Sequence, residues 1–165
     1  MSKREDKILS LTGIDASKIS YKQLHQYFNA YLDKGIHGIG FSAYEEGQKP
    51  GDELTVKQVQ RRMAILKPSI KWIRSFSCTQ GNDLIPIVAK RMGIQTLVGA
   101  WLGDDLEKNE QEIEGLIKLA KDGYVDIAAV GNEVMYRKDL TEEQLLGYIQ
   151  RVKEAVPGVP VGYVD

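Results

Sequence analysis

YVDIAAVGNEV, residues 124–134, carries an apolar run, Ile127 to Val130, straight into a polar pair, Asn132 and Glu133. An apolar run without alternation is what a strand covered on both faces looks like. Gly131 allows the backbone to bend where a side chain would crowd. Glu133 thereby falls at the C-terminal mouth of a buried strand. Taken alone, Asn-Glu after a strand is more often an ordinary solvated loop, so its meaning depends on what surrounds it.

The same rhythm runs through the rest of the chain. Residues 1–18 are polar or mixed and read as a lead-in. Ser20 with Gln23 then forms a capping-box pattern that opens a helix with Tyr21, Leu24, Phe28, Tyr31 and Leu32 on one face, stopping at Lys34-Gly35. HGIGFSAY, residues 37–44, reads as a short strand followed by the loop EEGQKPGDE. A helix opens at Thr55, with Val56, Val59, Met63 and Leu66 at helical spacing, and closes at Pro68. A second strand covers 69–78, with Trp72, Arg74 and Phe76 on one side and Ile73 on the other. A helix over 82–92 ends at Gly93. The strand QTLVGAWL, 95–102, leads to a helix over 107–121 with Ile113, Leu116, Ile117 and Ala120 as its buried stripe. After the 125–132 strand, Thr141 and Gln144 cap another helix, and a fifth strand spans 159–164.

Strand, helix and loop thus alternate at the roughly 30-residue spacing of a βα repeat, which predicts an α/β protein with a parallel sheet and right-handed crossovers. Two architectures fit: an open doubly wound sheet, or the first four to five βα units of a (β/α)8 barrel of the TIM type. A dinucleotide-binding doubly wound fold calls for a glycine-rich turn after its first strand, and EEGQKPGDE lacks GxGxxG.

Composition narrows the functions. With 165 residues, 42% hydrophobic and 27% charged, the chain suits one globular core. We therefore read residues 1–165 as one domain, or part of one, with residues 1–34 as lead-in and first helix. The net charge of −1 with signs dispersed gives no footprint for nucleic acid or an anionic membrane, and no stretch is long and apolar enough to span a bilayer. Cys78 is the only cysteine and reads as a small buried hydrophobe. His25 and His37 are too far apart to suggest a metal site, and no cofactor is expected. The run 8–14, broken by Ser10, Thr12 and Gly13, makes a poor signal-peptide core, which leaves the cytoplasm as the default compartment.

With these segments in view the sequence resembles family 17 of the glycoside hydrolases, the β-1,3-glucanase group within the clan of (β/α)8 retaining enzymes. AVGNEV resembles the end of that family's fourth strand, GFSAYEEGQKPG its first strand and loop, WIRSFSC its second and LVGAWLGDD its third, in the family's order. The resemblance covers about residues 35–165. It implies that Glu133 is the general acid/base, that Asn132 contacts a sugar hydroxyl, and that Arg74 sits beside the nucleophile and keeps it ionised. It also implies that Phe41, Tyr44 and Phe76 lie near the subsite, with Trp101 a further stacking surface. For each of these four aromatics a core-packing role weighs about as much. The family's usual residue at Phe41 and Phe76 is tyrosine, so two hydroxyl contacts are missing here.

The family's nucleophilic glutamate lies on the seventh strand, and nothing in these 165 residues resembles that segment. The resemblance therefore implies a β-glucan-acting glycosidase or transglycosylase represented by its acid/base half and inactive alone. A noncatalytic carbohydrate-binding or scaffold half-barrel is the alternative, and an unrelated barrel or doubly wound protein a third reading. Open strand edges, with Ile39, Val98 and Val161 turned to the exposed inner face, predict self-association.

Overall fold

The computed structural model describes residues 18–165, so the readings of residues 1–17 as a lead-in and of the run 8–14 as a poor signal core lie outside the described residues. Five strands, β1 Ile36–Gly40, β2 Ile70–Ser75, β3 Gln95–Ala100, β4 Ile127–Asn132 and β5 Val161–Val164, form one sheet in chain order. Every neighbouring pair is parallel. Parallel neighbours need a crossover. Helices supply it: α2 Val56–Leu66 before β2, α3 Leu84–Arg91 before β3, α4 Leu106–Lys121 before β4, and α5 Val134–Arg137 with α6 Glu142–Ala155 before β5. The order never doubles back as a doubly wound sheet must; it is that of consecutive strands in a (β/α)8 barrel.

Local chemistry sets the element ends. The capping box at Thr141 and Gln144 opens α6 as its sequence predicts, and Ser20 with Gln23 does the same for α1 Tyr21–Lys34. Thr55 accepts from the Gln58 amide at the start of α2, and Pro68 turns the end of that helix into a 3-10 turn, Lys67–Ser69. The regular ladders are shorter than the apolar runs suggest, because the last residues of each run peel away into the loops at the C-terminal edge. Phe41, one residue past β1, still donates to the Arg74 carbonyl at 2.8 Å, but residues 42–44 already belong to the loop.

Two apolar clusters fill the space between sheet and helices. One joins Phe41, Val59, Met63, Ile73, Ile85 and Val88; the other joins Val98, Leu116, Val130, Leu145 and Val152. Each fully buried aliphatic side chain contributes about 1.5–3 kcal/mol before the entropy of ordering it. Cys78 is buried in the second cluster, as its reading as a small hydrophobe requires.

The faces of the strands correct one expectation. Val98 is fully buried against the helices, and Ile39 and Val161 pack at the margins of the helix-side clusters, so none of the three forms the inner face. Register gives the reason: Gly38 pairs with Trp72, Gly40 with Arg74, Arg74 with Leu97 and Leu97 with Ile127. These residues share the open face, and period-two alternation sends Val98 and Ile39 to the other. At Gly38 the approach is so close that a Cβ would meet the Trp72 Cβ at 2.7 Å. Among the described residues nothing buries the apolar face of α1: the helix has no buried residue, and Tyr21, Phe28 and Tyr31 are exposed.

At the N-terminal edge, Asp126 accepts from the Thr96 amide at 2.8 Å and pairs with Lys90 at 2.9 Å, tying β3, β4 and α3 together. Burial pushes the Asp126 carboxyl up, but the Lys90 and Thr96 hydrogen bonds and the Lys90 charge outweigh it and hold the carboxyl below its ordinary value. A lowered carboxyl stabilises the fold fully above the unfolded-state value of about 3.9, and that contribution is lost as pH falls through the lower folded value. Urea unfolding from pH 6 to pH 2 should therefore show a steeper acid-side loss in the wild type than in Asp126→Asn. Parallel curves would remove Asp126 from the acid response.

Candidate functional site

The C-terminal end of β4 departs from strand geometry twice. Gly131 has φ +84°, and the β4–β5 register shifts between Ala129 and Asn132. A side chain at 131 would be strained at this φ and would set its Cβ 2.9 Å from Val134 Cγ2. The bend turns Asn132 to the open face, where its Oδ1 accepts from Arg74 Nη2 on β2. Glu133 then adopts the left-handed conformation, φ 52° and ψ 24°, which costs a non-glycine residue about 1–3 kcal/mol and persists only where its surroundings over-determine it. They do so here. The Glu133 N–H donates to the Val164 carbonyl at 2.8 Å, and the Asn132 carbonyl accepts from Arg137 Nη1. The Glu133 side chain is exposed and makes no capping hydrogen bond. An exposed carboxylate thus stands at the rim, on a turn whose N–H and preceding carbonyl are both hydrogen-bonded.

Beside it, at the ends of β1–β3, lies a cleft of about 410 Å3 walled by Tyr44, Phe76 and Trp101, with Asn82, Gln80 and Lys108 among its polar groups. Its outer wall is the loop after β1. Gln58 holds this loop by donating to the Ala43 carbonyl at 2.8 Å, and Leu54, which is buried, donates to the Gln80 carbonyl at 3.2 Å. Asn82 donates to the Tyr44 hydroxyl at 3.1 Å, which leaves that hydroxyl's own proton to point elsewhere.

The inner wall is held by Glu112 of α4, which is fully buried. Its Oε1 accepts from the hydroxyls of Ser77 at 2.5 Å and Thr79 at 2.7 Å, and its Oε2 from the amides of Cys78 at 2.7 Å and Trp101 at 3.2 Å. Two donors on each oxygen satisfy a carboxylate, and one side chain thereby fixes the ends of both β2 and β3. Glu112 holds the cleft; with its lone pairs occupied it is not placed to react. Burial first, and the charges of Glu112 and Asp83 after it, push the Cys78 thiol well up, so Cys78 is inert rather than nucleophilic.

The structure brings most of the predicted residues together. Arg74 lies over the Phe76 ring, 4.8 Å from its centroid, while bonded to Asn132. Trp101 lines the cleft and is 38% exposed, enough for a ring face to meet a ligand. Phe41 also touches the cleft but is buried, and it belongs chiefly to the core with Val59 and Met63. Asn132 and Glu133 are not part of the cleft's lining; they adjoin it through Arg74 and through Arg137, whose guanidinium lies 4.8 Å from the Trp101 centroid. Sequence reading missed Glu112 and Arg137. Glu112 carried a signal, since it shares the buried stripe with Asn109, Ile113 and Leu116, and a polar residue on an apolar stripe needs partners. Arg137 carried none: two of its partners are backbone carbonyls, and its side-chain partners, Asp139 and Trp101, stand at no diagnostic spacing.

Glu112→Leu would leave the Cys78 and Trp101 amides and the Ser77 and Thr79 hydroxyls without the acceptor they share. The expected cost is about 1–3 kcal/mol in urea unfolding, with Trp101 emission shifted because its amide loses its acceptor. Wild-type stability and emission would show that the four donors find other partners.

Comparison with known proteins gives this arrangement a family. Residues 38–165 match the BtgE/BtgC glycoside hydrolase domain. A glucan 1,3-beta-glucosidase, BGL2, of Candida albicans is 28% identical over 148 residues, covering 79% of this chain and 48% of that protein. A glucan 1,3-beta-glucosidase of Arthroderma benhamiae is 27% identical over 100 residues, covering 59% of this chain and 32% of its own length. In structure, the chain resembles an active-site mutant of Rhizomucor miehei beta-1,3-glucanosyltransferase in complex with laminaritriose, with TM-score 0.64 and 26% identity over 78% of this chain and 49% of that one. The chain spans about half the length of the Candida albicans and Rhizomucor miehei proteins. Its five parallel strands in barrel order, the rim they build and the match over residues 38–165 make it a member of the BtgE/BtgC glycoside hydrolase domain family.

Proposed function

We propose that this chain supplies the acid/base side of a retaining glycosidase or transglycosylase acting on β-1,3-glucan, with Glu133 as the general acid/base. The observation that carries this reading is the backbone of Glu133: a left-handed glutamate pinned beyond a bulge at the C-terminal end of a barrel strand, where such enzymes build their sites. Glu133 protonates the departing glycosidic oxygen, then removes a proton from the incoming water or sugar hydroxyl. Hydrolysis and transfer differ only in which hydroxyl it deprotonates. Asn132 has its Oδ1 committed to Arg74, so its amide N–H groups remain to donate to a sugar oxygen. Arg74 keeps a buried Nε without a partner among the described residues, a charged donor suited to a neighbouring carboxylate. Tyr44, Phe76 and Trp101 offer ring faces to the apolar sides of pyranose rings.

Retention needs a second carboxylate about 5–5.5 Å from the first. The family resemblance puts it on the seventh strand, beyond the five described here. In a protein that holds both carboxylates, Glu133→Gln should lower turnover of aryl β-laminaribiosides with poor leaving groups by about 100-fold or more, because only those need the proton, and spare those with good ones. Equal losses would make Glu133 a structural residue.

The 165-residue chain alone should bind laminari-oligosaccharides in calorimetry without releasing reducing sugar, and should associate through the outer edges of β1 and β5. A monomeric mass in light scattering at all concentrations, with turnover abolished by Glu133→Gln, would refute both statements.

A further inference from the structure

We propose that Arg137 is a positioning residue that couples the Trp101 wall of the cleft to the backbone turn presenting Glu133. The proposal rests on the reading of Glu133 given above and concerns how that carboxylate is aimed.

Arg137 closes the one-turn helix α5, and its amide donates to the Glu133 carbonyl at 2.9 Å. Its guanidinium then reaches back across the rim. Nη1 donates to the Asn132 carbonyl, Nη2 to the Leu102 carbonyl at 2.9 Å, and Nε to Asp139 at 2.7 Å. The same guanidinium has its Cζ 4.8 Å from the Trp101 ring centroid. One rigid fork thus touches the chain just past β3 and just past β4, and the ring that lines the cleft.

The contact with Asn132 matters most. The peptide between Asn132 and Glu133 sets φ of Glu133, and it is fixed at both ends: its oxygen by Arg137, its N–H by Val164. A peptide held at both ends cannot rotate to release the left-handed residue that follows it. Without the fork the carbonyl end is free, and Glu133 can relax toward a commoner conformation that points its carboxylate elsewhere. Trp101 would lose the cation over its ring in the same event. A lysine keeps the charge but has neither the planar fork nor the ring-stacking surface, so it cannot hold two carbonyls, Asp139 and Trp101 together.

The test uses the 165-residue chain, isotopically labelled for NMR. In the wild type, the Arg137 Nη protons should appear as separate, slowly exchanging resonances; one averaged guanidinium signal would overturn the proposal without any variant. In Arg137→Lys, the Trp101 indole N–H, assigned with Trp101→Phe, and the Glu133 amide should both shift while the Trp72 indole stays. Laminaritriose affinity should fall about tenfold, the scale expected of a misaimed site. A folded lysine variant with Trp101 and Glu133 signals unmoved would overturn the coupling. If the signals move as expected but the wild type does not bind laminaritriose, the coupling stands and the glucan reading fails. If the lysine variant does not fold, the wild-type guanidinium signals decide.

Discussion

A single peptide group, between Asn132 and Glu133, is the constraint on which the rim depends. It is caught between Val164 on β5 and Arg137 on α5, and both anchors exist only because larger structure delivers them. β5 reaches Val164 in register because β4 and β5 are parallel, and α5 and α6 return the chain to that side. Under the bend, Val134 and, on α6, Leu145 stand so close to Gly131 that an added Cβ would lie 2.9 Å and 3.4 Å from their side chains and force one of them to shift. Strain of about 1–3 kcal/mol at Glu133 is comparable with a few hydrogen bonds of about 0.5–1.5 kcal/mol each. The turn is therefore held by a narrow margin, and the core beneath it supplies that margin.

The cleft shows the same economy of buried polar groups. Glu112 gathers two hydroxyls and two amides and leaves none of its acceptor sites idle. Taking a carboxylate out of water is costly unless it is fully hydrogen-bonded, so the residue and its four donors stand or fall together. Surface pairs such as Arg61 with Glu45 or Arg151 with Glu110 are well exposed, and pairs of that kind typically contribute about 0–1 kcal/mol. What fixes the site geometry is inside.

This difference explains what could be read from the sequence. Caps at Ser20, Thr55 and Thr141, together with the periodicity of the apolar residues, are local features, and they gave the helices and the alternation that implies parallel β. The side of β2 on which Trp72, Arg74 and Phe76 lie was legible because alternation is also local. The inward face of β3 was not, since Gln95, Leu97 and Gly99 are no more polar as a set than Thr96, Val98 and Ala100; only pairing with Trp72 and Arg74 settles the phase. Glu133 stood out through its strand. Arg137 works in large part through the carbonyls of Asn132 and Leu102, which every residue carries, so its pairing with Asp139 and Trp101 alone does not announce it. The four-residue α5 is likewise too short to leave a period.

The aromatic wall bears on the two positions where the family resemblance expects tyrosine. Phe41 is buried among Val59 and Met63, so its ring serves the core first. Phe76 presents its face to the Arg74 guanidinium, an interaction that needs a ring but no hydroxyl. Both departures therefore remove polar contacts to a ligand without removing the wall itself. Polar recognition in this part of the cleft then falls to groups that the fold already orients: the Tyr44 hydroxyl, whose lone pair is taken by Asn82, together with Gln80 and Lys108. Because the Tyr44 oxygen already accepts a hydrogen bond, it meets a ligand chiefly as a donor. Under the proposed glucan reading, a wall of rings with few, directed donors would discriminate by the stacking of a sugar's apolar side and by one or two well-placed oxygens, and that division would make the geometry of Trp101, fixed by Glu112 below and Arg137 beside it, more consequential than any single missing hydroxyl.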